Sequence, residues 1–249
     1  MGERSWAPAL LSAPQAEALR DSVNPTGRPN DDVIRGYVGV VQGRGRERWQ
    51  IDFPAHYTEQ EAALHEGPYE LLRSRVPAQD GHWWVNPHAS TGLRTALARL
   101  DRYLVTPLPA PLADSIPAWA WVTEDKLPDE TLLTLARDDD FTHGMMQSRE
   151  FSLWWQEVIS LQSPTLAFES FPFPWSPRLP LGSLTAMQQE HRYEITRAVR
   201  TENADQLVQS VSRAYGWPTR LDDADLLSRL LDLHARRLHA ALTRPPFGG

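Results

Sequence analysis

Val33-Ile34-Arg35-Gly36-Tyr37-Val38-Gly39-Val40-Val41 is a β-prone run, and Trp49-Gln50-Ile51-Asp52-Phe53 is a second. Between them stands Gly43-Arg44-Gly45-Arg46, where the glycines permit a turn and the arginines favour water. Together the three pieces predict two strands joined by a hairpin-like turn with exposed arginines. Upstream, a helix is expected over residues 12–22, with Ser12 as its cap and Pro14 in its first turn, ended by the Pro- and Gly-containing stretch 24–30. Downstream, Thr58 and Glu61 have the spacing of a capping box, so a helix should open there and run toward Glu66. Gly67-Pro68 should kink it or end its first part before 69–75.

Farther along, Leu93, Ala96, Leu97 and Leu100 recur at helical spacing within 91–102, which leaves Arg94, Arg99 and Arg102 on or near the other face. Strands are expected over 103–106, 118–122 and 131–136, with Trp119 and Trp121 on one face of the second. Residues 107–117 read as a proline-rich loop, 148–160 as a helix, and 168–180 as an extended connector too rich in proline for regular structure. Helical patterns then fill 184–201, 204–215 and 223–239, punctuated by Gly216-Trp217-Pro218. The expected fold is α+β: an N-terminal helix (1–24), a small mixed-sheet domain (25–180) and a helical tail (181–249).

The chain's 249 residues, 41% of them hydrophobic and 10 of them Trp, can fill a sizeable core. No apolar run reaches the roughly 20 residues that cross a bilayer, and residues 1–14 lack a signal-peptide pattern, so a cytoplasmic protein without membrane partners is expected. Cysteine is absent, which excludes disulfides, thiolate nucleophiles and Cys-based zinc sites. A net charge of −7 argues against a nucleic-acid binder working alone, because Lys and Arg supply most non-specific affinity for phosphate. Lys126 is the only lysine, so any anion contact would use planar guanidinium geometry.

Motifs that would carry chemistry are missing or imitated. An adenine methyltransferase needs a Gly-rich methyl-donor loop and an Asn/Asp/Ser-Pro-Pro-aromatic tetrapeptide. Gly43-Arg44-Gly45 lacks the downstream acidic residue of the first, and Val85-Asn86-Pro87-His88 lacks the second proline and aromatic of the other. Glu124-Asp125-Lys126 and Pro128-Asp129 hold the letters of a metal-dependent nuclease site in the wrong order, and fit one turn between the Trp119 and Leu132 strands. Asp138-Asp139-Asp140 reads as a solvated turn. The histidines have no zinc spacing, and no serine sits in a Gly-x-Ser-x-Gly elbow. Trp83-Trp84 and Trp154-Trp155 could stack bases, although such pairs more often belong to a core. No catalytic residue and no metal ligand is therefore expected.

Nine strings in order carry a resemblance: Gly27-Arg28-Pro29-Asn30-Asp31-Asp32-Val33-Ile34-Arg35; Trp49 to Phe53; Glu61-Ala62-Ala63-Leu64 leading to Pro68-Tyr69-Glu70; Arg102-Tyr103-Leu104-Val105-Thr106-Pro107; Leu127-Pro128-Asp129; Ala136-Arg137-Asp138-Asp139-Asp140-Phe141; Ser148-Arg149-Glu150-Phe151-Ser152-Leu153-Trp154; Phe168-Glu169-Ser170-Phe171-Pro172-Phe173-Pro174-Trp175; and Ala214-Tyr215-Gly216-Trp217-Pro218. In this order they resemble the target-recognition region and C-terminal tail of large, single-chain, adenine-specific (N6) DNA methyltransferases. These are enzymes of the type IIG restriction-modification kind and their relatives in phage defence.

The resemblance implies a DNA target-recognition subunit or fragment that binds double-stranded DNA beside a separate methyltransferase. That partner would carry the S-adenosylmethionine and flip the adenine, and this chain would bind no cofactor of its own. By position it assigns DNA contacts to Arg44, Arg46, Arg48, Arg94 and Arg102, and to Arg137, His143 and Arg149 in the stretch 137–149. One departure supports an alternative. Where the family carries basic residues after its Tyr-x-x-Thr-Pro string, this chain reads Leu108-Pro109-Ala110-Pro111-Leu112-Ala113, as a protein-binding module of a defence complex that had lost DNA reading would.

Overall fold

The computed structural model describes residues 2–41, 44–77, 81–108, 117–159, 164–177 and 179–242. The chain divides into two compact units, Met1–Pro109 with Ala120–Ala136, and Ala110–Trp119 with Arg137–Gly249. The expected boundary at residue 180 thus lies inside the second unit, and the N-terminal helix belongs to the first. The architecture is α+β. No helix among the described residues is long and apolar enough to cross a membrane.

In the first unit a short strand β1 (Leu10–Leu11) precedes helix α1 (Ala13–Asp21). Ser12 caps α1 as expected, accepting from Gln15 N while the Gln15 side chain returns a bond to Ser12 N. Strands β2 (Ile34–Val41) and β3 (Arg44–Ile51) form the expected antiparallel hairpin, from Ile34 opposite Ile51 to Val41 opposite Arg44. The turn is shorter than the sequence implied. Arg44, Arg46 and Arg48 lie within β3, where the two-residue repeat points all three to one face.

Helices α2 (Glu59–Ala63) and α3 (Glu66–Arg75) follow. Thr58 and Glu61 make the expected capping box. The break falls at Leu64-His65, and Gly67-Pro68 lies inside α3, in the first turn where proline's missing N–H costs nothing. Helix α4 (Thr91–Leu97) stops one turn earlier than its apolar spacing suggested. Arg102 instead opens strand β4 (Arg102–Pro107), pairing with Thr123.

Strand β5 (Ala120–Thr123) is followed by β6 (Lys126–Pro128) and β7 (Leu132–Leu135). The reading of Glu124 to Asp129 as a single turn is corrected, because Lys126–Pro128 pair in parallel with Gly36, Tyr37 and Val38. The result is a mixed sheet in the order β1-β3-β2-β6 and an antiparallel sheet in the order β5-β4-β7. Trp119 stands before β5 and is buried, so it does not share a strand face with Trp121. Of the proline-rich loop, residues 109–116 lie outside the described residues, as do Gln42 and Gly43.

One core joins Ile34, Ile51, Phe53, Leu72 and Trp84, and another joins Leu97, Tyr103, Val105 and Leu132. Two buried ion networks accompany them. Glu3, with a fully buried side chain, accepts from Arg94 at 2.7 and 2.8 Å and from the Tyr37 hydroxyl at 3.1 Å, while Arg94 also donates to Asp52 at 2.9 and 3.0 Å. Asp129, equally buried, accepts from Arg48 and from the Thr131 backbone at 2.9 Å, with Arg46 at 3.7 Å. Gly39 makes room for this carboxyl, since a Cβ there would collide with it.

In the second unit, helix α5 (Asp140–Met146) was not foreseen: Asp139 caps it by accepting from Thr142 N at 3.0 Å, which corrects the solvated-turn reading. Helices α6 (Arg149–Ile159), α8 (Ala186–Arg200), α9 (Ala204–Tyr215) and α10 (Asp223–Leu242) match their expected spans closely, and α7 (Pro164–Ser170) enters the supposed connector. The rest of that connector is irregular, yet Phe171, Phe173 and Trp175 are buried. Gly144 lets α5 approach α8, because a Cβ on it would stand 2.7 Å from Ile195 and 2.8 Å from Val199. Gly216 ends α9 in the left-handed conformation, φ 70°.

Candidate nucleic-acid interface

The eight side chains expected to face DNA fall into distinct environments. Arg44 is exposed at the start of β3 and has no ion-pair partner among the described residues. Arg46 and Arg48, on the same face, turn to Asp129, and Arg48 also donates to Ser5 Oγ at 3.3 Å. Arg94 does not stand on a solvated face. Its guanidinium is committed to Glu3, Asp52 and Tyr37. Arg102 stacks its guanidinium 3.9 Å from the Trp121 ring centroid.

The remaining three belong to the second unit. Arg137 is half-buried and has no ion-pair partner among the described residues. His143 is buried in α5 with Gln147 Nε2 at 3.0 Å, and Arg149 donates to Asp223 and, at 2.8 Å, to the Leu221 carbonyl. Asp139 and Asp140 likewise pair internally, with Arg192 at 3.0 Å and Arg200 at 2.7 Å. Trp84, Trp154 and Trp155 are core residues and offer no ring to a base. Among the described residues no three His, Asp or Glu side chains are gathered as metal ligands.

The first unit contains a cleft of about 470 Å³ that the sequence did not foreshadow. Asp52 and Arg94 line its buried side, and Leu97, Ala98 and Leu127 supply apolar wall. Exposed Arg35, Glu124 and Asp125 complete it. Burial holds the Asp52 carboxyl above the ordinary carboxylate range despite the opposing Arg94 charge. Burial, with the neighbouring Asp52 and Glu3 carboxylates, pushes the Tyr37 hydroxyl up as well. For Arg94 the two carboxylates overcome desolvation and strengthen its proton affinity, so this guanidinium stays charged. Arg35 lies in one of the quoted strings, but nothing local marked it; Glu3 and Asp52 carried no sequence signal of joining Arg94.

Neither a described protein family nor a curated protein matches the chain. A solved structure shares its fold. That structure is the type IIL restriction-modification enzyme MmeI in complex with DNA, with a TM-score of 0.56 and 11% sequence identity. The likeness covers 96% of this chain and 35% of that one, so the chain spans about a third of its neighbour's length.

Proposed function

We propose that this chain is a DNA target-recognition module of a restriction-modification system, working beside a separate N6-adenine methyltransferase that holds the S-adenosylmethionine. One observation carries the reading: almost the whole chain superimposes on about a third of a restriction-modification enzyme solved with DNA. The nine ordered strings support it from the sequence side. Neither the methyl-donor loop nor the catalytic tetrapeptide occurs in the sequence, so methyl transfer falls to the partner.

On this reading Arg44 and Arg137 are the first candidates for phosphate contact, since their guanidinium groups are not committed within the protein. The decisive experiment mixes the chain with its methyltransferase and maps adenine methylation. Sequence-specific modification that requires this chain supports the proposal, and identical modification without it refutes it.

A second reading has its own observation. Arg46, Arg48, Arg94 and Arg149 all form internal ion pairs, and the net charge is −7, which suits a protein-binding module that no longer reads DNA. An electrophoretic shift at low salt separates the two. Absence of any shift, even with the methyltransferase present, favours the second.

A further inference from the structure

We infer that helix α10 is a self-association surface, on which a second copy of this chain docks antiparallel. Leu226 and Leu230 are buried and the helix packs on α6, which leaves a stripe of alternating charge uncovered: Asp225, Arg229, Asp232 and Arg236. Steps of four, three and four residues keep these side chains on one side of a helix. All four are exposed, and all four line one groove beside Trp217. None forms an ion pair among the described residues, although Asp225 and Arg229, and likewise Asp232 and Arg236, stand one helical turn apart. Arg236 bonds through Nε alone, to the Asp232 carbonyl at 3.3 Å. Burial lowers the proton affinity of the adjacent Arg237, and the Arg236 charge lowers it further, so a carboxylate brought to Arg236 would relieve a repulsion that the single chain keeps.

The order of the charges fixes the partner. Read from its other end, Asp-Arg-Asp-Arg becomes Arg-Asp-Arg-Asp, so an antiparallel copy sets Asp225 against the second copy's Arg236, and Arg229 against its Asp232. Two-fold symmetry repeats both contacts, and every charge of the stripe is matched. A parallel copy in register would set each charge against itself, and one shifted by a turn would leave the end charges unmatched and would not close. A uniformly acidic or basic partner, nucleic acid included, matches half of the stripe and is repelled by the other half. Ser228 and Ala235 line the same groove, and their small side chains let two helix axes approach to about 8–10 Å.

Exposed ion pairs are individually weak and are screened by salt. Sedimentation equilibrium should therefore detect a dimer of the full chain at roughly 0.5 mM in about 50 mM salt, and association should be about tenfold weaker or more in about 500 mM salt. Arg229→Asp with Arg236→Asp makes the stripe wholly acidic, and Asp225→Arg with Asp232→Arg makes it wholly basic. Each double variant alone should be monomeric with the circular dichroism of the wild type, because the stripe makes no buried contact. An equal mixture of the two should associate at least as tightly as the wild type.

The chain has no cysteine, so orientation can be read from introduced ones. Antiparallel pairing holds the two copies of position 225, or of position 236, about 16 Å apart along the helix axes, too far for a disulfide. Asp225→Cys and Arg236→Cys should each stay uncrosslinked alone under mild oxidation, and a mixture of them should form the mixed disulfide. The inference is overturned if the wild type stays monomeric at low salt, if either charge variant associates as the wild type does, if mixing restores nothing, or if the cysteine variants crosslink to themselves as readily as to each other. None of these outcomes depends on whether the chain binds DNA.

Discussion

Replacing Arg94 by methionine keeps the hydrocarbon stem and removes the charge that Glu3 and Asp52 share. The side chains of Glu3 and Asp52 are 0% and 4% exposed, so without Arg94 two carboxylates remain buried with no counter-charge between them. Removing one partner of a buried pair typically costs about 3–5 kcal/mol. Arg94 itself is 27% exposed, and water reaching it screens part of the interaction, which places the expected loss at the low end, about 3 kcal/mol at pH 7. Native-state hydrogen exchange read by mass spectrometry on residues 34–51 isolates the first unit, and amides there should exchange about a hundredfold faster.

The loss should also depend on pH. In the folded protein the Asp52 carboxyl is held above its ordinary value, so the folded state binds that proton more tightly than the unfolded chain. Its contribution is most favourable below the unfolded value of about 4 and is lost as pH rises through the folded one. Arg94 opposes this shift, so its removal raises the folded value further and widens the window. The variant should therefore be less destabilised at pH 4.5 than at pH 7. Adding Glu3→Gln and Asp52→Asn to Arg94→Met should recover much of the stability, since a neutral hydrogen-bonded cluster replaces stranded charges. A loss below about 1 kcal/mol at pH 7, a loss equal at both pH values, or no recovery in the triple variant would refute the network as a charge-sharing unit.

Asp129→Asn strands Arg46 and Arg48 and should cost about 2–4 kcal/mol by urea denaturation; Gly39→Ala, which drives a methyl into the same carboxyl, should be comparable, and the double variant should lose less than the sum. Gly144→Ala forces α5 away from Ile195 and Val199 and should destabilise the second unit by about 1–3 kcal/mol, seen as a lower melting temperature. If the chain binds duplex DNA, Arg44→Ala and Arg137→Ala should each reduce the slope of log affinity against log salt by about one, measured by fluorescence anisotropy across a salt series. Unchanged slopes in both would remove those two residues from the interface.

Much of the fold was legible because its signals are local. The capping boxes at Ser12 and Thr58 span only four residues of sequence, and the hairpin needs two β-prone runs around glycines. The tail helices carry apolar stripes long enough for their period to show. Helix α5 escaped because all seven of its residues are buried, the polar Asp140, Thr142 and His143 among them, so burial does not sort polar from apolar residues into two faces. Strand β6 escaped for a different reason: three residues ending in proline become a strand only by parallel pairing with Gly36, Tyr37 and Val38, some 90 positions upstream.

The same distinction governs the candidate site. A sequence displays where its arginines are but not which carboxylates meet them, and the partners here lie far away: Glu3 is 91 residues from Arg94, and Asp129 is 81 from Arg48. Arg48 and Arg94, both expected at an interface, are held in internal ion networks. Arg35 stands in a string of the resemblance with no local signal of its own, yet it lines the cleft and its charge acts on Asp52. Charge available for binding is what folding leaves unpaired, and that remainder is a property of tertiary contacts. For this chain it singles out Arg44 and Arg137 among the expected arginines, which the net charge of −7 would not have done.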